Sequence, residues 1–137
     1  MNIEALQDKY GNITSEEAKL IDNTCENLGI SSSKLMHIAG WQIARLTYEL
    51  LDKKGGSIFV IAGKGNNGGD GCVAATFLAY FGFKINLVIL SEENSLNPDI
   101  KQLVGVAKRS GCKLSITKQL GKKDIDISSK ASIFITQ

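Results

Sequence analysis

The sequence predicts an α/β fold with three αβα layers, built on a mainly parallel central sheet that two helices precede. Two observations support this prediction. Short, continuously apolar runs alternate with segments of helical periodicity from residue 57 onward. A glycine-rich segment joins the first apolar run to the helix that follows it. Such alternation is typical of parallel strands with helices packed on both faces of the sheet.

Two helices are predicted ahead of the first strand. The first covers residues 14–28, because Thr14 and Glu17 have the spacing of a capping box and a glycine follows the helix. The second begins in the serine run 31–33 and carries a broad apolar face. It is predicted to end in the lysine and glycine residues 53–56, since basic side chains are favoured at a helix C-terminus.

The remaining elements alternate along the chain. The predicted strands are residues 57–62, 84–90, 113–117 and 131–135. The predicted helices are residues 72–81 and 97–110. The polar stretch 118–130 is predicted to be a solvated loop that contains Lys118, Lys122, Lys123 and Lys130. This order predicts a Rossmann-like, doubly wound architecture, with residues 1–137 as a single domain.

The composition argues against several classes of protein. Hydrophobic residues make up 43% of the 137-residue chain and charged residues 22%, and the net charge of +2 gives no broad basic surface for nucleic acid. No apolar run approaches the roughly 20 residues of a membrane span, and the N-terminus lacks the pattern of a secretory signal. Three widely spaced cysteines and one histidine give no disulfide or zinc pattern. We therefore expect a cytoplasmic protein with reduced thiols.

The segment from Gly63 to Gly71, Gly-Lys-Gly-Asn-Asn-Gly-Gly-Asp-Gly, is the strongest functional signal in the chain. Its five glycines would let a phosphate approach the backbone and would allow positive φ angles. Free N–H groups at the start of the next helix attract an anion. Asn66, Asn67 and Asp70 offer polar atoms for ribose hydroxyls, a cation or the loop itself. The segment therefore predicts a phosphate-binding loop for a nucleotide-type ligand.

Two general nucleotide motifs can be compared with this segment. Gly63-x-Gly65-x-x-Gly68 satisfies the dinucleotide fingerprint, and Glu92, 24 residues beyond Gly68, stands near the end of the second strand, where a ribose-binding acid is expected. A Walker A loop is excluded, because no Gly-Lys-Ser/Thr closes the motif. An NAD-dependent oxidoreductase that binds plain NAD tightly therefore remains an open alternative.

Three further residues, His37, Cys72 and Lys64, have a structural interpretation beside a functional one. We expect His37 to be partly buried and hydrogen-bonded rather than catalytic. Cys72 begins the predicted helix after the glycine loop, where the helix dipole can lower a thiol pKa, but a small buried packing residue is favoured. Lys64 can either reach a phosphate or remain solvated. Trp41, Tyr80 and Phe81 are predicted to lie in the core or in an interface.

Residues 65–71 resemble the signature of the YjeF N-terminal family, the NAD(P)H-hydrate epimerases. The first half of the chain is similar to this family as well. Residues 13–18 resemble its opening helix, and residues 35–40 resemble its Leu-Met-Glu-Asn-Ala-Gly segment, with His37 and Ile38 in place of Glu and Asn. The resemblance covers essentially the whole chain, while the family's domain continues past residue 137.

The resemblance implies an isomerase of nicotinamide cofactor repair. Members interconvert the R and S epimers of hydrated NADH and NADPH, so that a partner ADP/ATP-dependent dehydratase can restore the cofactor. It further implies a homodimer, and a potassium ion held by Asn67 together with Thr136, which stands where the family has an aspartate. The residues that would bind the substrate's phosphate and ribose are Asn66, Asn67, Gly68, Gly69, Asp70 and Gly71.

The family's later glycine-rich loop and its Asp-x-Pro-Ser-Gly segment, which carries the acid–base aspartate, have no match in this chain. Proton transfer needs a titratable group within reach of the reacting carbon. We therefore expect the chain to be a fragment with weak or no epimerase activity, and its catalytic residue remains unassigned. The alternative is a non-catalytic nucleotide-binding or scaffold module on the same fold.

Overall fold

The structure, a computed structural model, describes residues 11–51, 55–128 and 132–136. The chain forms two compact units, one up to Leu35 and one from Met36 onward. The assignment of residues 1–137 to one domain stays a prediction. Among the helices of the described ranges, none has the length and apolar character needed to cross a bilayer.

The N-terminal unit contains helix α1, Ser15–Asn27. Its capping box is formed as predicted: the Thr14 hydroxyl accepts from the Glu17 N–H at 3.2 Å, and the Glu17 carboxylate accepts from the Thr14 N–H at 2.6 Å. Gly29 has a φ of 87°, which ends the helix in a conformation that favours glycine. No residue of α1 is buried in this unit, and Ile21 on its apolar face is half exposed.

Helix α2 covers Ser32–Leu50, and its residues from Met36 onward belong to the second unit. The strands that follow are β1 (Ser57–Ala62), β2 (Lys84–Leu90), β3 (Lys113–Thr117) and β4 (Ser132–Thr136). The helices are α3 (Asn66–Tyr80), α4 (Pro98–Arg109) and α5 (Lys122–Ser128), with one 3-10 turn at Glu93–Ser95. Asn97 caps α4, because its side-chain oxygen accepts from the Ile100 N–H at 2.9 Å.

The four strands form one parallel sheet in the order β3-β2-β1-β4. The chain leaves β1 toward β2 and β3, then returns across the sheet to pair β4 with the other side of β1. At the carboxyl end of β1, Ala62 lies opposite Ile89 of β2 and Thr136 of β4. The strand order therefore reverses between β1 and β4, and ligands of doubly wound sheets bind at such a reversal.

The core explains why β1 is apolar without interruption: all its residues from Ile58 to Ala62 are buried. One face of the sheet packs against α3 and α4, and Cys72, Leu78 and Ile100 belong to that cluster. Phe59, Ile61 and Val88 form the cluster on the opposite face. The return crossover carries α5, which contacts β1, and a right-handed crossover places it on this second face. The predicted three-layer fold is confirmed.

Three predicted boundaries were wrong. α3 begins at Asn66 rather than at residue 72, so it takes in most of the predicted glycine loop. Residues 122–128 form α5 rather than a loop, and the Asp124 carboxylate accepts from the Gly121 N–H at 2.8 Å where this helix starts. α2 ends at Leu50, ahead of the predicted end at 53–56, of which residues 53 and 54 lie outside the described ranges.

Candidate phosphate-binding site

The candidate site lies at the carboxyl end of the central strand β1, where residues 63–65 lead directly into α3. Gly65 is the N-cap of α3, and it has an extended backbone and no side chain to accept a hydrogen bond. The first helical turn contains no acidic residue. The backbone N–H groups of Asn66 and Asn67 therefore open the helix without a side-chain cap, at the positive end of its dipole. This is the chemistry of an anion site.

Residues Asn66 to Gly71 occupy the first two turns of α3, which corrects their predicted place in a loop. The predicted positive φ angles at the loop glycines were also wrong. Within the described ranges, the glycines with positive φ are Gly11, Gly29, Gly82 and Gly111, all outside this segment. Three of the five segment glycines, Gly68, Gly69 and Gly71, are instead buried in the structure.

Gly68 and Gly69 are packed against other parts of the protein. A Cβ atom at Gly68 would overlap the carbonyl group of Gly63, so the loop closes directly on the helix backbone. A Cβ atom at Gly69 would overlap the Met36 thioether and lie 3.0 Å from the Ile100 side chain. The protein itself therefore fills the space that the sequence analysis assigned to a phosphate at these two positions.

A third glycine, Gly40 in α2, lies where α2 packs closely against α3. A Cβ atom at Gly40 would lie 2.5 Å from the Cβ of Val73 and 2.9 Å from the carbonyl oxygen of Asp70. Helix α2 therefore approaches the backbone of α3 within the two turns that carry the site. This role of Gly40 was not predicted, although a lone glycine inside a helical pattern is a signal of close packing.

The solvent-facing part of the site is short and polar. Lys64, Gly65, Asn66 and Asn67 are exposed, and Asp70 is half-buried one turn further along α3. The exposed residues 64–67 therefore carry two amide side chains, the uncapped backbone N–H groups at the start of α3, and the lysine side chain of Lys64. Both interpretations of Lys64, contact with a phosphate or simple solvation, agree with its exposure.

The sheet register relates Thr136 to this site. Thr136 is the last residue of β4 and pairs with Ala62, the residue immediately before Gly63. The backbone therefore brings the predicted metal-binding positions Asn67 and Thr136 to the same edge of the sheet, on either side of the loop. Their predicted role as potassium ligands stays a prediction.

A second polar group lies at the same edge, on the far side of β1. The Ser91 N–H donates to the carbonyl of Thr117 at 3.0 Å, so the pairing of β2 and β3 continues past the end of β2. One residue later, the Lys118 ammonium and the Glu92 carboxylate form an ion pair at 2.6 Å. Lys118 is an exposed loop residue, as predicted, but its ion pair with Glu92 was not predicted. The signal was present, because both residues directly follow the ends of predicted strands.

The other candidate residues were predicted with mixed success. His37 is exposed, so its predicted burial was wrong. Trp41 packs edge-on against Phe77 with ring centroids 5.0 Å apart and stays 39% exposed. Tyr80 is 84% exposed and lies outside the core. Tyr80 is the last residue of α3, and its ring contacts that of Phe81 with centroids 6.3 Å apart.

Cys72 is a buried packing residue, as favoured from the sequence. Burial, followed by the neighbouring Cys112 thiol, raises the pKa of Cys72 to about 12. Burial alone raises the pKa of Cys112 to about 11. Because the helix begins six residues before Cys72, its N-terminal dipole does not offset burial, and the thiol is unsuited to nucleophilic chemistry near neutral pH.

We expect alkylation to separate the three free cysteines. At pH 8, iodoacetamide should modify the half-buried Cys25 at least tenfold faster than Cys72 or Cys112, because the raised pKa of each buried thiol keeps it protonated. Peptide mass spectrometry over time measures the three rates, with urea-unfolded protein as the control in which all three should react alike. Equal rates for Cys25 and Cys72 in the folded chain would contradict the burial of Cys72.

The chain was compared with known protein families and curated proteins. Residues 32–135 match the family described as YjeF-related protein N-terminus. A bifunctional NAD(P)H-hydrate repair enzyme Nnr of Hyperthermus butylicus is 38% identical over 92 residues, which cover 66% of this chain and 17% of that protein. An NAD(P)H-hydrate epimerase of Lentilactobacillus buchneri is 35% identical over 88 residues, which cover 64% of this chain and 41% of that protein. The chain thus matches less than half the length of these curated relatives.

A solved structure shares the fold. The crystal structure of the yeast protein ynu0 superposes on the chain with a TM-score of 0.74 and 26% sequence identity. The superposition covers 90% of this chain and 54% of the yeast chain. The fold resemblance therefore covers most of this chain.

Proposed function

Because the chain belongs to the YjeF-related N-terminal family, we propose that it serves as an NAD(P)H-hydrate epimerase domain. In this role it binds hydrated NADH or NADPH and takes part in interconverting the R and S epimers at the hydrated carbon. The observation that carries the proposal is the uncapped N-terminus of α3 at the point where the strand order of the sheet reverses.

The proposal gives each part of the site a physical task. The N–H groups of Asn66 and Asn67, with the dipole of α3, bind the phosphates of the dinucleotide. The side chains of Asn66, Asn67 and Asp70 hydrogen-bond the adjoining ribose. Glycines 68, 69 and 71 act indirectly: they let the loop, α2 and α4 pack tightly enough to fix this helix end.

Potassium belongs to the same proposal. Among the described residues, no three His, Cys, Asp or Glu side chains form a group that could hold a metal ion. Asn67 and Thr136 offer amide, hydroxyl and carbonyl oxygens, which suit a large monovalent cation. When bound, the ion would supply positive charge beside the phosphates. The prediction is tighter nucleotide binding in potassium chloride than in sodium chloride at equal ionic strength.

The names of the relatives support a wider setting for this domain. Several are bifunctional repair enzymes, which supports a dehydratase as a fused domain or separate partner. A cytoplasmic location and a homodimer complete the proposal, because the substrate is a soluble cofactor and the family resemblance implies pairing. The second candidate, a non-catalytic binding module, is favoured by Thr136 at the position where the family has an aspartate.

One experiment separates the two candidates. The purified chain is mixed with a single epimer of hydrated NADH, and chromatography follows the second epimer against a sample without protein. Accelerated interconversion supports the epimerase, while binding without acceleration supports the module. A chain that binds neither hydrated NADH nor hydrated NADPH would refute both.

A further inference from the structure

We infer that Glu92, positioned by Lys118, recognises the 2′-hydroxyl of the nucleotide's adenosine ribose. Because of this contact, the site prefers the NADH form of the substrate over the NADPH form. This inference rests on the proposed function, because it needs a dinucleotide at the end of α3. It assigns a role to an ion pair that the phosphate site itself does not use.

Glu92 lies just after the end of β2, the strand that neighbours β1. In doubly wound sheets the pyrophosphate binds at the helix that follows the first strand, and an acid at the end of the second strand meets the ribose 2′-hydroxyl. Here α3 follows β1, and Glu92 comes two residues after Leu90, the last residue of β2. β2 is the direct neighbour of β1. The phosphate site and Glu92 therefore have the spatial relation that this type of recognition requires.

The Glu92 carboxylate is held in position by Lys118 and is still accessible to a ligand. Lys118 contacts Glu92 at 2.6 Å, and a backbone hydrogen bond joins Ser91 and Thr117, the residues immediately before them. The side chains of Glu92 and Lys118 are 56% and 73% exposed, respectively. An exposed ion pair contributes little to stability, about 0 to 1 kcal/mol. Glu92 can therefore accept hydrogen bonds from ribose hydroxyls at small cost while Lys118 keeps it in place.

The negative charge around Glu92 disfavours a phosphate group at the 2′ position. Glu93 follows Glu92 directly and is also exposed. It therefore adds a second carboxylate beside the ion pair of Glu92 and Lys118, at the corner of the sheet where β2 and β3 end. A 2′-phosphate brings almost two further negative charges near neutral pH. A 2′-hydroxyl brings none and donates a hydrogen bond to a carboxylate. The corner therefore favours the unphosphorylated ribose.

The test compares two stable ligands that lack the nicotinamide, ADP-ribose and 2′-phospho-ADP-ribose, by calorimetric titration of the full chain. We expect the wild-type chain to bind ADP-ribose about tenfold more tightly. Glu92→Gln should reduce this ratio to threefold or less, because it removes the like-charge repulsion and keeps the shape of the side chain. Glu49→Gln is the matched control, because Glu49 is also an exposed carboxylate in an ion pair, with Arg45 of α2, and it should change the ratio by less than twofold. Thermal unfolding checks that both variants are folded.

The possible failures are distinguishable. If the wild-type chain binds both ligands equally, or prefers the 2′-phosphate, the inference is overturned while nucleotide binding stands. An unchanged ratio in Glu92→Gln likewise overturns it. If neither ligand binds, the nucleotide site of the proposed function is refuted, and this inference fails with it.

Discussion

Replacing Gly68 with alanine is expected to lower the free energy of unfolding by about 2 to 3 kcal/mol. The added methyl group would overlap the carbonyl of Gly63, which is backbone and cannot rotate away. The loop would have to move off the helix, and the site would lose its geometry together with its stability. Urea denaturation followed by circular dichroism measures the loss.

Gly105→Ala is the matched control for this prediction, since Gly105 also lies inside a helix, α4. Its added Cβ would meet only the end of the Arg109 side chain, at 3.2 Å, and that exposed side chain can move. Alanine in a helix interior should therefore stabilise the chain by about 0.5 to 1 kcal/mol. A Gly68→Ala variant as stable as Gly105→Ala would show that the loop is not packed as described.

Asn67→Ala and Asp70→Ala are each expected to weaken the binding of ADP-ribose tenfold or more. Each removes polar atoms assigned to the ligand, and a hydrogen bond to a charged group contributes about 1.5 to 3 kcal/mol. Tenfold in affinity corresponds to about 1.4 kcal/mol. Isothermal titration measures both affinities, with thermal unfolding to confirm that the variants are folded.

Asn23→Ala and Asp22→Ala provide the controls, because they make the same two changes at exposed positions of α1. Neither should change the affinity by more than about twofold, since neither residue belongs to the proposed site and substitutions at exposed positions have small effects. Wild-type affinity in both Asn67→Ala and Asp70→Ala would remove these residues from the site.

Local patterns were enough to predict most of this fold. The continuous apolar run in β1 predicted a strand buried on both faces, and the spacing of Thr14 and Glu17 predicted a capping box that is formed. The start of α3 was predicted six residues late, because glycine and asparagine have low helix propensity. Tertiary packing of Gly68 and Gly69 against the loop, Met36 and Ile100 overrides that propensity.

The location of the candidate site was predictable, while the physical role of its glycines was not. A strand followed by Gly-Lys-Gly-Asn-Asn indicates a phosphate site from sequence spacing alone. Whether a glycine faces a ligand, a carbonyl or a neighbouring helix depends on contacts between distant residues such as Gly40 and Val73. The pair of Glu92 with Lys118 depends in the same way on the adjacency of β2 and β3, which the order of the elements only implies.

Trp41 gives this chain a built-in spectroscopic probe. It is the single tryptophan, and its ring lies 5.0 Å from Phe77 and 5.6 Å from Phe81, both carried by the chain segment that begins at the phosphate site. Indole emission depends on contact with water, and this indole is partly shielded by those rings. Any ligand that shifts α3 relative to α2 would therefore change the wavelength of maximum tryptophan fluorescence. Binding can then be followed without a label.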